Sequence, residues 1–280
     1  REKRAALALP ASAVITKKVV LSSALREDEM EVQVEAEANQ YIPFPLEEVN
    51  IDFQIIGPAS APDEVEVLIA ASRKERIEDR VAAAEDAGLK VLVMDVDTYA
   101  TEAAYDLVAK QLPNAGKGQT VMVIDIGAIM IHVNVLHDNK SVYVREQAFG
   151  GMQLTQEIQR RFGLSAEEAE IAKRKGGLPE SYDNEVLQPF IQSLSSEVAR
   201  ALQFFTSSTQ YNRVDHIVLA GGCAAIAGVD IAVQDRTQVH TIIANPFNGM
   251  SLATKVKSQQ ATIDAPALMI ACGLALRGVE

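Results

Sequence analysis

The chain has 280 residues, enough for one large or two modest domains with buried cores. Hydrophobic residues make up 48% of it, which excludes a disordered chain. Its 26 basic and 38 acidic residues give a net charge of -12. A phosphate backbone needs a basic face, so this balance argues against a nucleic-acid partner and for a basic partner segment. The two cysteines, Cys223 and Cys272, are too few for a disulfide framework and too far apart for a metal motif. They fit small buried residues in a reducing cytosol.

No apolar run approaches the roughly 18 residues of a membrane span, so no direct membrane insertion is expected. The opening REKRAALALP is basic and then apolar, but its apolar part is too short for a signal segment, and Ala5 to Leu9 reads as a strand. The chain begins with Arg1 rather than Met and is read as a piece of a longer protein. Ala13 to Leu21 is β-branched and strand-like. Leu25 to Tyr41 reads as an acidic helix with Leu25, Val32 and Ala36 on one face, stopping before Pro43 and Pro45. Val49 to Ile56 alternates as a strand, and Gly57 to Asp63 is a loop by its Pro, Gly and Ser content. Val65 to Ala71 is a strand, and Lys74 to Ala87 a helix closed by Gly88. Residues 13 to 90 thus read as a compact α+β module.

Val91 to Val96 is a further strand and Thr98 to Gln111 a helix, followed by a turn over Pro113 to Gly118. Val121 to Val144 gives three consecutive strands, broken at Gly127-Ala128 and at His137 to Lys140. Gly150-Gly151 opens the helix Met152 to Phe162. Ser165 and Glu168 form a capping box for the next helix, which ends at Gly176-Gly177. A long helix spans Pro189 to Thr209, a buried strand Ile217 to Ala220 runs into Gly221-Gly222, and a last helix of small and apolar residues covers Pro266 to Arg277.

Four features of this string point to phosphate and nucleotide binding. In VIDIGA, Asp125 stands at a strand end, where it suits a hydrated magnesium ion, and Gly127-Ala128 lets backbone N–H groups approach phosphate oxygens. In IVLAGGCA, Gly221-Gly222 follows a buried strand and leads into small residues read as a helix start, which favours anions. Gly150-Gly151 precedes a helix in the same way. Glu170 and Lys173, three apart on one helical face, fit hydrogen bonds to ribose and adenine; as an isolated pair they equally fit a surface ion pair.

The order of the elements matches an α/β architecture, the actin-like or duplicated ribonuclease-H-like fold. Whole stretches go further: EANQYIPFPLEEV from Glu37, FGGMQLTQEI from Phe149, LAGG from Leu219, ANPF from Ala244 and DAPALMIACGLALR from Asp264. On these the chain resembles the PilM family of type IV pilus assembly proteins over nearly its whole length. The resemblance implies a cytoplasmic, FtsA-like protein that binds ATP with Mg2+ and sits at the inner membrane through its partner. That partner would be the N-terminal cytoplasmic tail of PilN, held in a groove between subdomain 1A and an inserted α+β subdomain 1C. PilO and PilP would follow indirectly, and pilus motor ATPases are further candidates. The implied division gives residues 1–15 and 91–118 to 1A, 16–90 to 1C, 119–262 to the nucleotide-facing domain 2, and 263–280 to a C-terminal helix returning to 1A.

The chain also departs from the family pattern. Members open with a first phosphate loop, Gly-Ile-Asp-Ile-Ser/Gly-Ser, for which this chain has no counterpart. Ile129 stands where a Thr or Ser is usual. Both turn the expectation toward a scaffold that is at most a weak ATPase, with poor nucleotide binding in this piece. Asp97, at a strand end, is the candidate for orienting a catalytic water, against the plainer reading of a helix cap. Two other functions fit the same superfamily: a sugar-kinase-like phosphotransferase, for which no substrate-cleft motif is present, and an FtsA-like division tether, which would need a basic amphipathic tail after Arg277.

Overall fold

The computed structural model describes residues 3–278, which fall into two compact units, residues 3–97 with 277–278, and residues 98–276. In the first unit, β1 (Arg4–Leu9) lies parallel to β5 (Lys90–Val96). Between these paired strands the chain makes β2 (Ile15–Ser22), α1 (Glu27–Ala38), β3 (Val49–Pro58), β4 (Glu64–Arg73) and α2 (Lys74–Asp86). β2, β4 and β3 form an antiparallel sheet with β4 in the centre. Val67, Ile69 and Ala71, alternating along β4, are buried on one face, as period-2 side-chain geometry requires. They pack with Met30, Val34 and Ala38 of α1 and with Leu21, Ile42 and Val49.

The helix over Leu25 to Tyr41 thus forms, but it buries a different face from the one expected. Met30, Val34 and Ala38 recur at i, i+4 and i+8 and face the sheet, whereas Val32 is 64% exposed and Leu25 lies before the first turn. Strand β3 runs through Pro58, into the expected loop, with a bulge between Ile55 and Gly57 that lets the edge strand continue. Gly88, at φ +77°, closes the end of α2 as expected.

The second unit begins with α3 (Asp97–Ala109), counted from its second residue. It continues through β6 (Thr120–Ile126), β7 (Ile131–His137) and β8 (Lys140–Gln147), then α4 (Gly151–Phe162), α5 (Ala166–Lys175) and α6 (Gln188–Ser208). β9 (His216–Ala220), α7 (Val229–Thr237), β10 (His240–Ile243), α8 (Ser258–Asp264) and α9 (Met269–Leu276) complete it. The sheet order is β10-β9-β6-β7-β8, with β7 antiparallel to its neighbours and β9 and β10 parallel to β6. This is the ribonuclease-H-like topology, and the chain has the α/β actin-like fold.

β6 is buried on both faces. Met122, Ile124 and Ile126 join α4, α6 and α7 in one core, while Val121 and Val123 join Tyr105 and Val108 of α3 and Met269 of α9 in the other. A continuous apolar strand is what a sheet covered on both sides needs. The β7–β8 turn is Asp138-Asn139, both at positive φ, which matches the twist of a two-residue hairpin.

Two expectations are corrected here. No α-helix starts at the diglycine: Gly222–Ala225 is a 3-10 turn, and α7 starts only at Val229, after Gly228 at φ +84°. The C-terminal helix is not one piece from Pro266. α8 leads through a 3-10 turn, Ala265–Leu268, into α9. The carbonyl of Pro266 accepts the N–H of Gly221 at 2.7 Å, tying this turn to the end of β9.

Candidate functional site

The site in the second unit is built around the β6–β7 hairpin. Asp125 stands one residue before the end of β6, opposite Ala220 of β9. The turn closes with the N–H of Gly127 on the carbonyl of Met130 at 2.9 Å. On its inner side, the carbonyls of Gly127 and Ala128 accept the N–H groups of Gly151 and Met152 at 3.0 and 2.7 Å. The hairpin therefore caps the first turn of α4 and consumes two donors that would otherwise be open to an anion. Because a trans peptide sets C=O and N–H in opposite directions, the N–H groups of Ala128 and Ile129 point away from α4. Ile129 itself is largely exposed.

Glycine is needed where backbones meet. A Cβ on Gly150 would stand 2.5 Å from the carbonyl carbon and oxygen of Ala128, and one on Gly151 would stand 2.7 Å from Cys223 Sγ. Gly221, at φ +85°, has the oxygen of Ile126 2.4 Å and Asp125 Oδ1 2.6 Å from the place of a Cβ. Gly222 differs: nothing lies within 4 Å of its Cβ position.

α5 adds a polar network. Lys173 Nζ donates to Glu170 Oε2 at 2.5 Å and to Thr155 Oγ1 at 2.8 Å, and lies 3.5 Å from the Gly151 carbonyl. Arg174 Nε donates to Glu170 Oε1 at 2.8 Å. Burial alone would raise the Glu170 carboxyl; hydrogen bonds from Lys173, Thr155 and Arg174 outweigh it and hold the group at about 2. Ser165 accepts from the Glu168 N–H, and the Glu168 carboxylate accepts from the Ser165 N–H, so α5 starts on the capping box read from the sequence.

The structure thus brings Asp125, Gly127, Ala128, Gly150, Gly151, Glu170, Lys173, Gly221 and Gly222 into one contiguous cluster. Asp97 belongs to the first unit, where its Oδ1 accepts the N–H of Ala11 at 3.0 Å. Sequence reasoning missed Thr155 and Cys223. Thr155 is the i+4 partner of Gly151 on α4, a spacing that carries no chemical signature. Cys223 is buried, its thiol pushed up by burial, with Sγ 3.9 Å from the Gly127 oxygen. Among the described residues no group of three or more His, Cys, Asp or Glu side chains could hold a metal ion. A magnesium ion at Asp125 would therefore take one carboxylate, with waters and ligand oxygens completing its shell.

The first unit holds a cavity of about 370 Å³. Pro10, Ile15, Phe44, Val49 and Ala71 give it apolar walls, and Arg73 and Arg76 line it as well. The Arg73 guanidinium lies 5.3 Å from the centre of the Phe44 ring and 3.3 Å from Glu75. Ser72 Oγ donates to the Ala13 carbonyl at 2.8 Å, fixing the β4 end against the β2 entry.

A family model described as type IV pilus assembly protein PilM matches residues 1–279. The chain belongs to the PilM family. A solved structure described as the PilM–PilN type IV pilus biogenesis complex is 31% identical to this PilM-family chain. The match covers 100% of this chain and 81% of that one, with a TM-score of 0.79. More distant is the ethanolamine utilization protein EutJ from Carboxydothermus hydrogenoformans, at 19% identity over 72% of this chain and 60% of that one, with a TM-score of 0.49. MreB5 of Spiroplasma citri bound to ADP is similar at 14% identity over 72% and 64%, with a TM-score of 0.47. No helix among the described residues of this PilM-family chain is long and apolar enough to cross a membrane.

Proposed function

We propose that this chain is the actin-like scaffold of a type IV pilus assembly machine and docks the N-terminal cytoplasmic tail of PilN in the cavity of its first unit. The observation that carries this reading is the likeness, over all of this chain and 81% of the other, to the PilM–PilN complex. The cavity supports it. It is lined by Phe44 of the QYIPFPLEEV stretch, and its volume of about 370 Å³ suits the apolar side chains of a short extended segment. The net charge of -12 suits the basic residues of such a tail outside the cavity, since Arg73 and Arg76 disfavour them within it. Through PilN the chain would act on PilO and PilP from the cytoplasmic side of the inner membrane and pass the state of the pilus motor ATPases to them.

ATP with magnesium is the proposed second ligand. The N–H groups of Ala128 and Ile129 and the open backbone at Gly222 would meet phosphate, Asp125 would hold the hydrated metal, and Gly150, Gly151 and Gly221 keep the backbones close enough for this. The bound metal would neutralise phosphate charge. Ile129 has no hydroxyl to offer, and Asp97 is tied to Ala11, so nucleotide serves as a conformational support and turnover is at most weak.

Fluorescence anisotropy with a synthetic PilN tail peptide tests the docking. Micromolar binding that is lost on adding excess unlabelled peptide is the expected result. No binding at high micromolar peptide concentration would remove the scaffold reading in this form, and phosphate transfer from ATP to a small acceptor would favour the phosphotransferase instead.

A further inference from the structure

β10 is the edge strand of the second sheet and is only four residues long. Its first residue, His240, lies directly opposite His216, the first residue of β9. Val218 and Ala220 of β9 and Ile242 of β10 reach the same core, so period-2 geometry puts both imidazoles on that face, side by side at its end. Their Nδ1 atoms are 3.2 Å apart and their rings cross at 86°. One Nδ1 donates its proton and the other accepts it. His216 is half-buried and His240 is exposed. Burial, and then the neighbouring His240, lower the His216 pKa, which keeps that ring in the neutral form a metal binds.

We propose that His216 and His240 form a two-imidazole site for a divalent transition-metal ion of the zinc or nickel class. Zinc sits about 2.0–2.1 Å from an imidazole nitrogen, so at a tetrahedral angle two such nitrogens stand about 3.3–3.4 Å apart. The Nδ1 pair, at 3.2 Å, already has nearly that bite. The proton between the rings moves through solvent to Nε2 of its own ring, both imidazoles stay neutral, and rotation of the exposed His240 ring turns the two lone pairs to one point. Among the described residues no group of three or more His, Cys, Asp or Glu side chains gathers there, so water completes the shell. Such a site is exchangeable, and weaker than a four-ligand structural zinc site. Imidazole nitrogen suits zinc, nickel and copper, whereas magnesium takes oxygen, so this site is chemically separate from Asp125. A bound ion joins the short edge strand to β9 and stabilises the folded chain by mass action. None of this depends on the nucleotide or PilN readings.

The test is calorimetric titration of tag-free protein with ZnCl2, NiCl2 and MgCl2, using wild type, H216A, H240A and C272S, with urea midpoints measured in each salt. Wild type should bind one zinc ion with a dissociation constant on the order of 10–100 µM. H216A and H240A should each weaken it at least about tenfold, because one imidazole remains. H240A changes an exposed side chain and keeps the test valid if H216A folds poorly. C272S should bind as wild type. Zinc should raise the urea midpoint of wild type and leave that of H240A unmoved, and magnesium should move neither. Equal zinc affinity in wild type and H240A, loss of binding in C272S instead, or no zinc binding by wild type at 1 mM would each overturn the site.

Discussion

Gly150 lies so close beneath Ala128 that a Cβ on it would stand 2.5 Å from both atoms of the Ala128 carbonyl. The hairpin and the entry to α4 are therefore in backbone contact, and neither can shift without the other. Gly150→Ala is expected to lower unfolding free energy by about 1–3 kcal/mol, because the obstacle is backbone rather than a flexible side chain. Gly222→Ala meets open space and should change stability by no more than about 0.5 kcal/mol. If the diglycine faces phosphate, the same Gly222→Ala variant still loses Mg-ATP affinity. Urea denaturation and calorimetry on the two variants check both statements.

Gly273 on α9 meets a harder limit. A Cβ there would lie 1.7 Å from the oxygen of Ala100 on α3. Gly273→Ala should cost more than any surface change in this unit, on the order of 3 kcal/mol or failure to fold, as the two helices are forced apart over the Tyr105 and Met269 core. Expression yield and thermal unfolding against wild type provide the readout.

Glu170 gives a pH-dependent signature. Its folded carboxyl is held at about 2, below its ordinary value of 4.5. The unfolded chain binds that proton first as pH falls, so the contribution is complete above about pH 4.5 and is lost between 4.5 and 2. Wild type should therefore lose more stability than E170Q on going from pH 5 to about pH 3. Parallel urea midpoints at the two pH values decide it; equal losses in both proteins would contradict the assignment.

The cavity of the first unit separates docking from nucleotide binding. Phe44→Ala removes an apolar wall together with the ring beneath Arg73. It should weaken a PilN tail peptide by about tenfold or more, equivalent to about 1.4 kcal/mol, with Mg-ATP affinity unchanged. Anisotropy and calorimetry on the same preparations distinguish loss of docking from general unfolding.

Much of this molecule was legible in one dimension. Strands β4, β6 and β9 announce themselves as β-branched runs, Ser165 and Glu168 mark the start of α5, and Gly88 marks the end of α2. QYIPFPLEEV carries the family. These signals are local, since each depends on residues within a few positions of one another. Four-residue β10 and nine-residue α7 escaped because neither is long enough for its pattern to stand out, and both are held by contacts from β9 and α6. The face of α1 was misread because Val32 and Met30 are equally apolar as letters, and only the position of the sheet decides which is buried.

The sequence by itself determined the order of most elements and the glycines at backbone crossings, because these follow from short-range sterics and periodicity, and it showed the kinship with the PilM family through the likeness of whole stretches such as QYIPFPLEEV. Tertiary structure alone decided which way the hairpin donors point and what Lys173 is bound to. Thr155 and Lys173 are 18 residues apart, and Gly127 and Gly151 lie on elements separated by two strands. Whether such groups meet, and spend their hydrogen bonds on each other or keep them for a ligand, depends on how α4 and α5 pack against the sheet. No spacing along the chain encodes that.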